Sequence, residues 1–186
     1  MKVLGISGSL RRDSYNTKLL RAAEELLPPF AELELWDGLK AVPPFDEDDE
    51  GDPTPAAVAS LREAVAAADL LLFATPEYNA SVPGQLKNAV DWLSRPVATS
   101  VLRGKPALVV GASTGAFGAV WAQAELRKVL ATAGARVVEA EVAVGHAPTK
   151  FDAEGGLVDE EIVEQLQEAV EILVAEEPVR LVALPA

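Results

Sequence analysis

The stretch Asp69-Leu70-Leu71-Leu72-Phe73-Ala74, running straight into Thr75-Pro76-Glu77-Tyr78-Asn79-Ala80-Ser81-Val82-Pro83-Gly84, decides the fold. Its first part is a short apolar run without polar alternation. Such a run reads as a strand covered on both faces, the signature of a parallel sheet. The two prolines behind it fix the path of a loop, and Pro83 suits the first turn of a helix. Working outward, the same strand–loop–helix unit recurs. Strands are expected over residues 3–7, 31–35, 69–74, 107–111 and 137–142. Apolar stripes at helical spacing alternate with them. They are Leu19, Leu20, Ala23, Leu26 and Leu27; Val58, Leu61, Val65 and Ala68; Leu86, Ala89, Val90 and Leu93; Val120, Ala124, Val129 and Leu130; and Ile162, Leu166, Val170 and Leu173. Thr54 reads as an N-cap before Pro55, Asp159 as the acidic opening of the last helix, and Gly134 as the residue past the end of the fourth.

Strand and helix alternating in this way give an α/β domain with a parallel sheet. Right-handed crossovers leave few topologies, and with five strands the flavodoxin-like order 2-1-3-4-5 is expected, a three-layer sandwich with helices on both faces. Residues 1–186 read as a single domain, in which 177–186 form an apolar tail suited to covering an edge or a partner subunit. Ligands of such sheets bind beyond the carboxyl ends of the strands, where strands 1 and 3 diverge. That selects three loops, over residues 7–17, 75–84 and 112–118.

Composition narrows the chemistry. The 186 residues include no Cys, which removes disulfides, thiolate metal sites and a Cys nucleophile, and one histidine, His146, which removes a multi-histidine metal site. The net charge of −13 is the wrong sign for nucleic acid or an anionic membrane. No targeting run and no membrane-length apolar segment is visible, so a cytoplasmic protein is expected. The acidic run from Asp46 to Asp52 begins like a calcium loop, but its twelfth position is Ala57 and flanking helices are missing, so it reads as a solvated loop. His146 reads as surface or loop packing, with no catalytic role.

The first loop, Ser7-Gly8-Ser9-Leu10-Arg11-Arg12-Asp13-Ser14-Tyr15-Asn16, offers what a phosphate needs: free N–H groups at a helix start, hydroxyls, an amide and a cation. In the second, an aromatic beside an amide, Tyr78-Asn79, could flank a planar heteroaromatic ligand. In the third, Gly111-Ala112-Ser113-Thr114-Gly115-Ala116-Phe117-Gly118, glycines allow close backbone approach. Each loop also reads as an ordinary turn: a Ser-capped helix start, a turn closed by Asn79, a small-residue turn. Neither a P-loop nor a dinucleotide glycine fingerprint is present.

Together and in this order, the three loops resemble those of the NADPH-dependent FMN reductase family, flavodoxin-like enzymes that include quinone, chromate and azo-compound reductases. Gly8-Ser9-Leu10-Arg11, Ser14 and Asn16 are similar to the family's phosphate loop. Pro76-Glu77-Tyr78-Asn79, Ser81, Pro83-Gly84, Leu86-Lys87-Asn88-Ala89 and Asp91-Trp92 are similar to its flavin-ring segment. The resemblance implies that Ser9, Arg11, Ser14 and Asn16 hold the FMN phosphate. It places Pro76, Glu77, Tyr78 and Asn79 along the ring and ribityl chain, and Ser113, Gly115 and Gly118 at the ring's other side. It implies FMN as cofactor, NADPH or NADH as reductant, a small-molecule acceptor, and a homodimer or homotetramer. No side-chain catalyst is implied, since the hydride chemistry belongs to the flavin. Two positions depart from the pattern: Ala80 and Ala119 stand where glycine is common, and Ala80 must hold φ < 0 or tolerate strain. The alternative within the same fold is a flavodoxin-like electron carrier that binds FMN without oxidising NADPH.

Overall fold

The computed structural model describes residues 1–51 and 53–176; the expected tail at 177–186 lies outside them. Its elements are β1 (Lys2–Ser7), α1 (Tyr15–Glu25), β2 (Glu32–Trp36), α2 (Ala56–Ala67), β3 (Leu70–Thr75), α3 (Gly84–Leu93), β4 (Pro106–Ala112), α4 (Val120–Thr132), β5 (Arg136–Val137), β6 (Ala143–Val144) and α5 (Glu160–Ala175). The sheet runs β2-β1-β3-β4-β5 with every pair parallel, the order expected.

The strand residues alternate between two apolar cores, as a period of two requires. Leu71 and Phe73 face the core under α2, α3 and α4, while Leu70, Leu72 and Ala74 face the core under α1 and α5. Both faces are therefore covered, and all six residues of β3 are buried. This burial is why Leu70 to Ala74 are all apolar, and Thr75 at the strand's end donates its hydroxyl to the Pro76 carbonyl at 2.8 Å. Gly5 makes room for a side chain of the neighbouring strand: a Cβ there would lie 2.8 Å from Leu35 Cδ2.

The structure corrects three expectations. The fifth strand is two short ones, β5 and β6, which pair with the start and the end of β4. Between them Glu139 and Glu141 are exposed, and an edge carrying two carboxylates leaves the ladder. The buried face of α4 is Ala122, Gln123, Leu126 and Leu130, whereas Ala124 is exposed and Val120 and Val129 are half-buried. A buried glutamine hides the true stripe from a reading of apolar spacing. At α2, Pro55 takes the cap position and Thr54 instead donates its hydroxyl to the Gly51 carbonyl at 3.2 Å. Asp159 caps α5 as expected, accepting the Ile162 N–H at 3.2 Å, and Gly134 follows α4 at φ 98. Among the described residues no helix is long and apolar enough to cross a membrane.

Candidate functional site

The loops after β1, β3 and β4 meet in one crevice, with a cavity volume of ≈ 110 Å³. Of the expected site residues, Ser9, Arg11, Ser14, Asn16, Pro76, Glu77, Tyr78 and Ser113 line it, together with Tyr15, Ala112 and Thr114. Asn79, Gly115 and Gly118 do not.

The first loop is shaped by its own hydroxyls. Ser7 Oγ accepts the Ser9 N–H and Ser9 Oγ accepts the Arg11 N–H, both at 3.4 Å. Ser14 caps α1, its Oγ accepting the Asn16 and Thr17 N–H groups at 3.2 and 3.3 Å. The backbone N–H groups of Leu10, Arg12, Asp13 and Tyr15 keep no partner among the described residues. The Tyr15 N–H at the start of an 11-residue helix, the unpartnered N–H groups of the loop before it and the exposed Arg11 guanidinium together offer donors to an anion. The phosphate of FMN fits that donor set. Asn16 has another task. Its Nδ2 donates to the Ala112 carbonyl at 3.0 Å and its Oδ1 accepts the Ala112 N–H at 2.9 Å. Buried and bonded twice, it ties the first loop to the end of β4.

The second loop closes in a two-residue turn. Tyr78 and Ser81 exchange both backbone bonds, at 3.2 and 3.1 Å, and Asn79 and Ala80 between them sit at φ 54 and 59. Both central residues are left-handed, the geometry of a type I′ turn. Ala80 thus takes the strained alternative, and Ala119, at φ 64, does the same at the start of α4. The Asn79 and Ala80 N–H groups have no partner among the described residues.

Two carboxylates fasten this turn to α4. Glu77 Oε2 accepts the Trp121 and Ala122 N–H groups, each at 3.1 Å, so it caps a helix whose own cap residue, Ala119, has no side chain to do so. From the next turn of α4, Glu125 Oε2 accepts the Ser81 hydroxyl at 2.6 Å and the Val82 N–H at 3.1 Å. The Ser81 bond, and after it the Val82 N–H, hold the Glu125 carboxyl below its ordinary value. Sequence reading missed Glu125, because its partners lie 43 and 44 residues away.

The third loop faces both ways. Ser113 lines the crevice and its Oγ accepts the Gly115 N–H at 3.0 Å. Gly115 and Gly118 look toward the chain behind: the Gly115 carbonyl accepts the His146 N–H at 2.8 Å, and a Cβ on Gly118 would lie 2.3 Å from the Ala143 carbonyl carbon. His146 therefore acts through its backbone, as loop anchoring. The rest of the second motif is also structural. Asn88 bonds the Phe45 N–H at 2.7 Å and the Pro43 carbonyl at 2.8 Å, and Trp92 Nε1 donates to Pro43 at 2.9 Å. At the crevice mouth Tyr78 is 51% exposed, and beside Glu77 the Phe117 and Trp121 rings, 64% and 49% exposed, meet edge to face at 5.0 Å.

A sequence profile of the NADPH-dependent FMN reductase family matches residues 1–149. The chain is 45% identical over 174 residues to an NAD(P)H-dependent FMN reductase of Pseudomonas aeruginosa, covering 93% of each. It is 39% identical over 168 residues to a 2-hydroxy-1,4-benzoquinone reductase of a Burkholderia species, covering 90% of this chain and 91% of that one. Among solved structures, FerB, a flavoenzyme NAD(P)H:(acceptor) oxidoreductase from Paracoccus denitrificans, superposes with a TM-score of 0.82 at 34% identity, covering 94% of this chain and 95% of FerB.

Proposed function

The chain belongs to the NADPH-dependent FMN reductase family, and on that premise we propose that its three-loop crevice binds FMN and serves electron transfer from NAD(P)H to a small acceptor, with quinones and free flavin the favoured class. The observation that carries the reading is the crevice in which Ser9, the free Arg11 guanidinium, Ser14 and Tyr15, whose N–H has no partner among the described residues, meet Glu77, Tyr78 and Ser113 from the other two loops.

FMN, when bound, supplies the hydride relay between reductant and acceptor. The chain's residues hold and orient it. Tyr15 and, from the loop before it, Leu10, Arg12 and Asp13 would offer backbone N–H groups to the phosphate, and Arg11 and the Ser14 hydroxyl proton would add to them. Asn16 keeps that loop in register with β4. Glu77 and Glu125 keep the Tyr78–Ser81 turn in place, and with it the Tyr78 side chain at the crevice. Neither His, Cys nor Lys lines the crevice, which suits a reaction needing no side-chain proton relay. The exposed Tyr78, Phe117 and Trp121 support a second copy of the chain at the crevice mouth, in a homodimer or homotetramer.

The test is a visible spectrum of the purified protein supplemented with FMN, before and after anaerobic NADPH or NADH. The expected result is a bound-flavin spectrum that bleaches. Bound flavin that neither reductant bleaches would make the protein a carrier, and a protein that retains no flavin would end the reading.

A further inference from the structure

The charge pattern of this acidic chain points to a second anion seat. Seven of its described cations are ion-paired with carboxylates. Arg62, Arg103 and Lys105 donate to backbone carbonyls instead. Five cations have side chains with neither ion pair nor hydrogen bond among the described residues: Arg11, Arg12, Arg21, Lys40 and Lys128. Three of those five, Arg11, Arg21 and Lys40, line a single cavity of ≈ 400 Å³. Asp13, the carboxylate whose charge couples to Arg11, is itself bonded to Lys18.

The cavity lies at the carboxyl end of β1 and β2, and shares Ser9 and Arg11 with the crevice described above. Its cations come from rigid supports. Arg21 stands one turn beyond Thr17 on α1. Lys40 belongs to a short turn, Gly38–Ala41, that Gln85 fixes by donating to the Leu39 and Val42 carbonyls, each at 2.8 Å. With Arg11 shared with the first crevice, Arg21 and Lys40 are the cations that belong to this cavity alone, and its lining carries one carboxylate, Asp37. Like charges gathered without acidic partners repel one another, and a pocket walled by one sign focuses its field. In a protein of net charge −13, such a pocket selects a compact anion of more than one charge. The rest of the lining suits a nucleoside around it: an apolar wall of Leu35 and Trp36, and the Asp37 carboxylate as an acceptor for a sugar hydroxyl.

We infer that this cavity seats the 2′-phosphate end of NADPH, with Arg21 and Lys40 as the residues that distinguish NADPH from NADH. The inference rests on the reductase reading above, because it places the far end of that reaction's reductant. Asp37 alone would favour the unphosphorylated ribose of NADH, and the cations reverse that preference.

The experiment uses the FMN-loaded protein and the variants Arg21→Ala, Lys40→Ala, their combination, and Arg21→Lys. Both side chains are exposed, so the variants should fold, and circular dichroism checks this. Steady-state constants are measured for NADPH and NADH with one quinone acceptor, and binding is measured for adenosine 2′,5′-bisphosphate and for 5′-AMP. The double variant should raise the KM for NADPH roughly tenfold, the loss of about one charge-assisted contact. Its kcat and its KM for NADH should stay where they were. Binding of the bisphosphate should weaken in parallel while 5′-AMP is unaffected, and Arg21→Lys should keep most of the preference. An equal rise for both reductants, or no change for either, would overturn the inference and leave the reductase reading standing. Bisphosphate binding that depends on Arg21 and Lys40, in a protein whose flavin NADPH does not bleach, would keep the phosphate seat and remove the reductase reading.

Discussion

The loops after β1 and β3 border the same crevice but are held there in opposite ways. The first is organised from within: Ser7, Ser9 and Ser14 each accept an N–H from a residue two or three places on. A single remote side chain, Asn16, docks it on β4. The second contributes only the two bonds of its own turn, around a pair of residues in left-handed conformation. Glu77 and Glu125, bridging to successive turns of α4, do the rest. The difference follows from what each must present. A loop that has to leave N–H groups unpaired for an anion can be built from short hydroxyl bonds. A loop that has to hold an unfavourable backbone needs charged bonds from a separate element to over-determine it.

If that contrast is right, the largest effect belongs to Asn16. Replacing it with Ala leaves the Ala112 N–H and carbonyl without partners at a site where Asn16 is 3% and Ala112 2% exposed. Each unmet buried group costs about 1–3 kcal/mol, so Asn16→Ala should destabilise the protein by about 2–4 kcal/mol. FMN should also bind more weakly, since the first loop loses its register with β4. Chemical denaturation with and without FMN measures both. A variant as stable as the parent would show that the first loop needs no remote support at all.

The second loop should respond to Glu125, by less. Glu125→Ala removes a cap-like acceptor from the Val82 N–H and the Ser81 hydroxyl, with an expected loss of about 1 kcal/mol. Glu125→Gln adds a pH signature. The carboxyl is held below its ordinary value in the folded protein, so its contribution is present above the unfolded value and disappears as pH falls through the folded one. The stability gap between parent and Glu125→Gln should therefore be open at neutral pH and close below about pH 4. It will be small, because the carboxylate is solvent-screened. Thermal melts across pH 3–7 (roughly the carboxylate range) check it, and a gap that widens in acid would contradict this account of the turn.

The contrast also marks how far the sequence could be read. Strands β1 to β4 and all five helices were legible, because burial on both faces writes an apolar run such as Leu70 to Ala74 and one-sided burial writes a helical stripe. The three loops were legible as a group, because phosphate seats draw on few residue types. The division of the last strand was not, since Val137, Val138 and Val142 are apolar whether or not each pairs with β4. The buried face of α4 was not, because Gln123 is fully buried among apolar neighbours with its amide on the Gly118 carbonyl at 3.0 Å. The bonds of Asn16 to Ala112 were not legible for a related reason: an amide in a phosphate-like loop reads the same whether it donates to a ligand or to a neighbouring strand. Glu125, Arg21 and Lys40 carry no local signal, because their significance lies in what the fold sets beside them.

The smallest expected effect is also the sharpest test of the contrast. Ala80 holds φ 59 at the second central position of the Tyr78–Ser81 turn, where a Cβ is disfavoured and glycine is not. Ala80→Gly relieves that conformation but frees the unfolded chain, so the two effects partly cancel. A net gain of about 0.5–1 kcal/mol is expected, since αL strain outweighs the added entropy. If α4 restrains a turn that would otherwise relax, the two changes are coupled, and Ala80→Gly should restore more stability in the Glu125→Ala background than in the parent. A double-mutant cycle in urea reads this directly. Strict additivity would mean that Glu125 merely caps Val82 while the turn keeps its shape alone, and the second loop would then be organised from within, like the first.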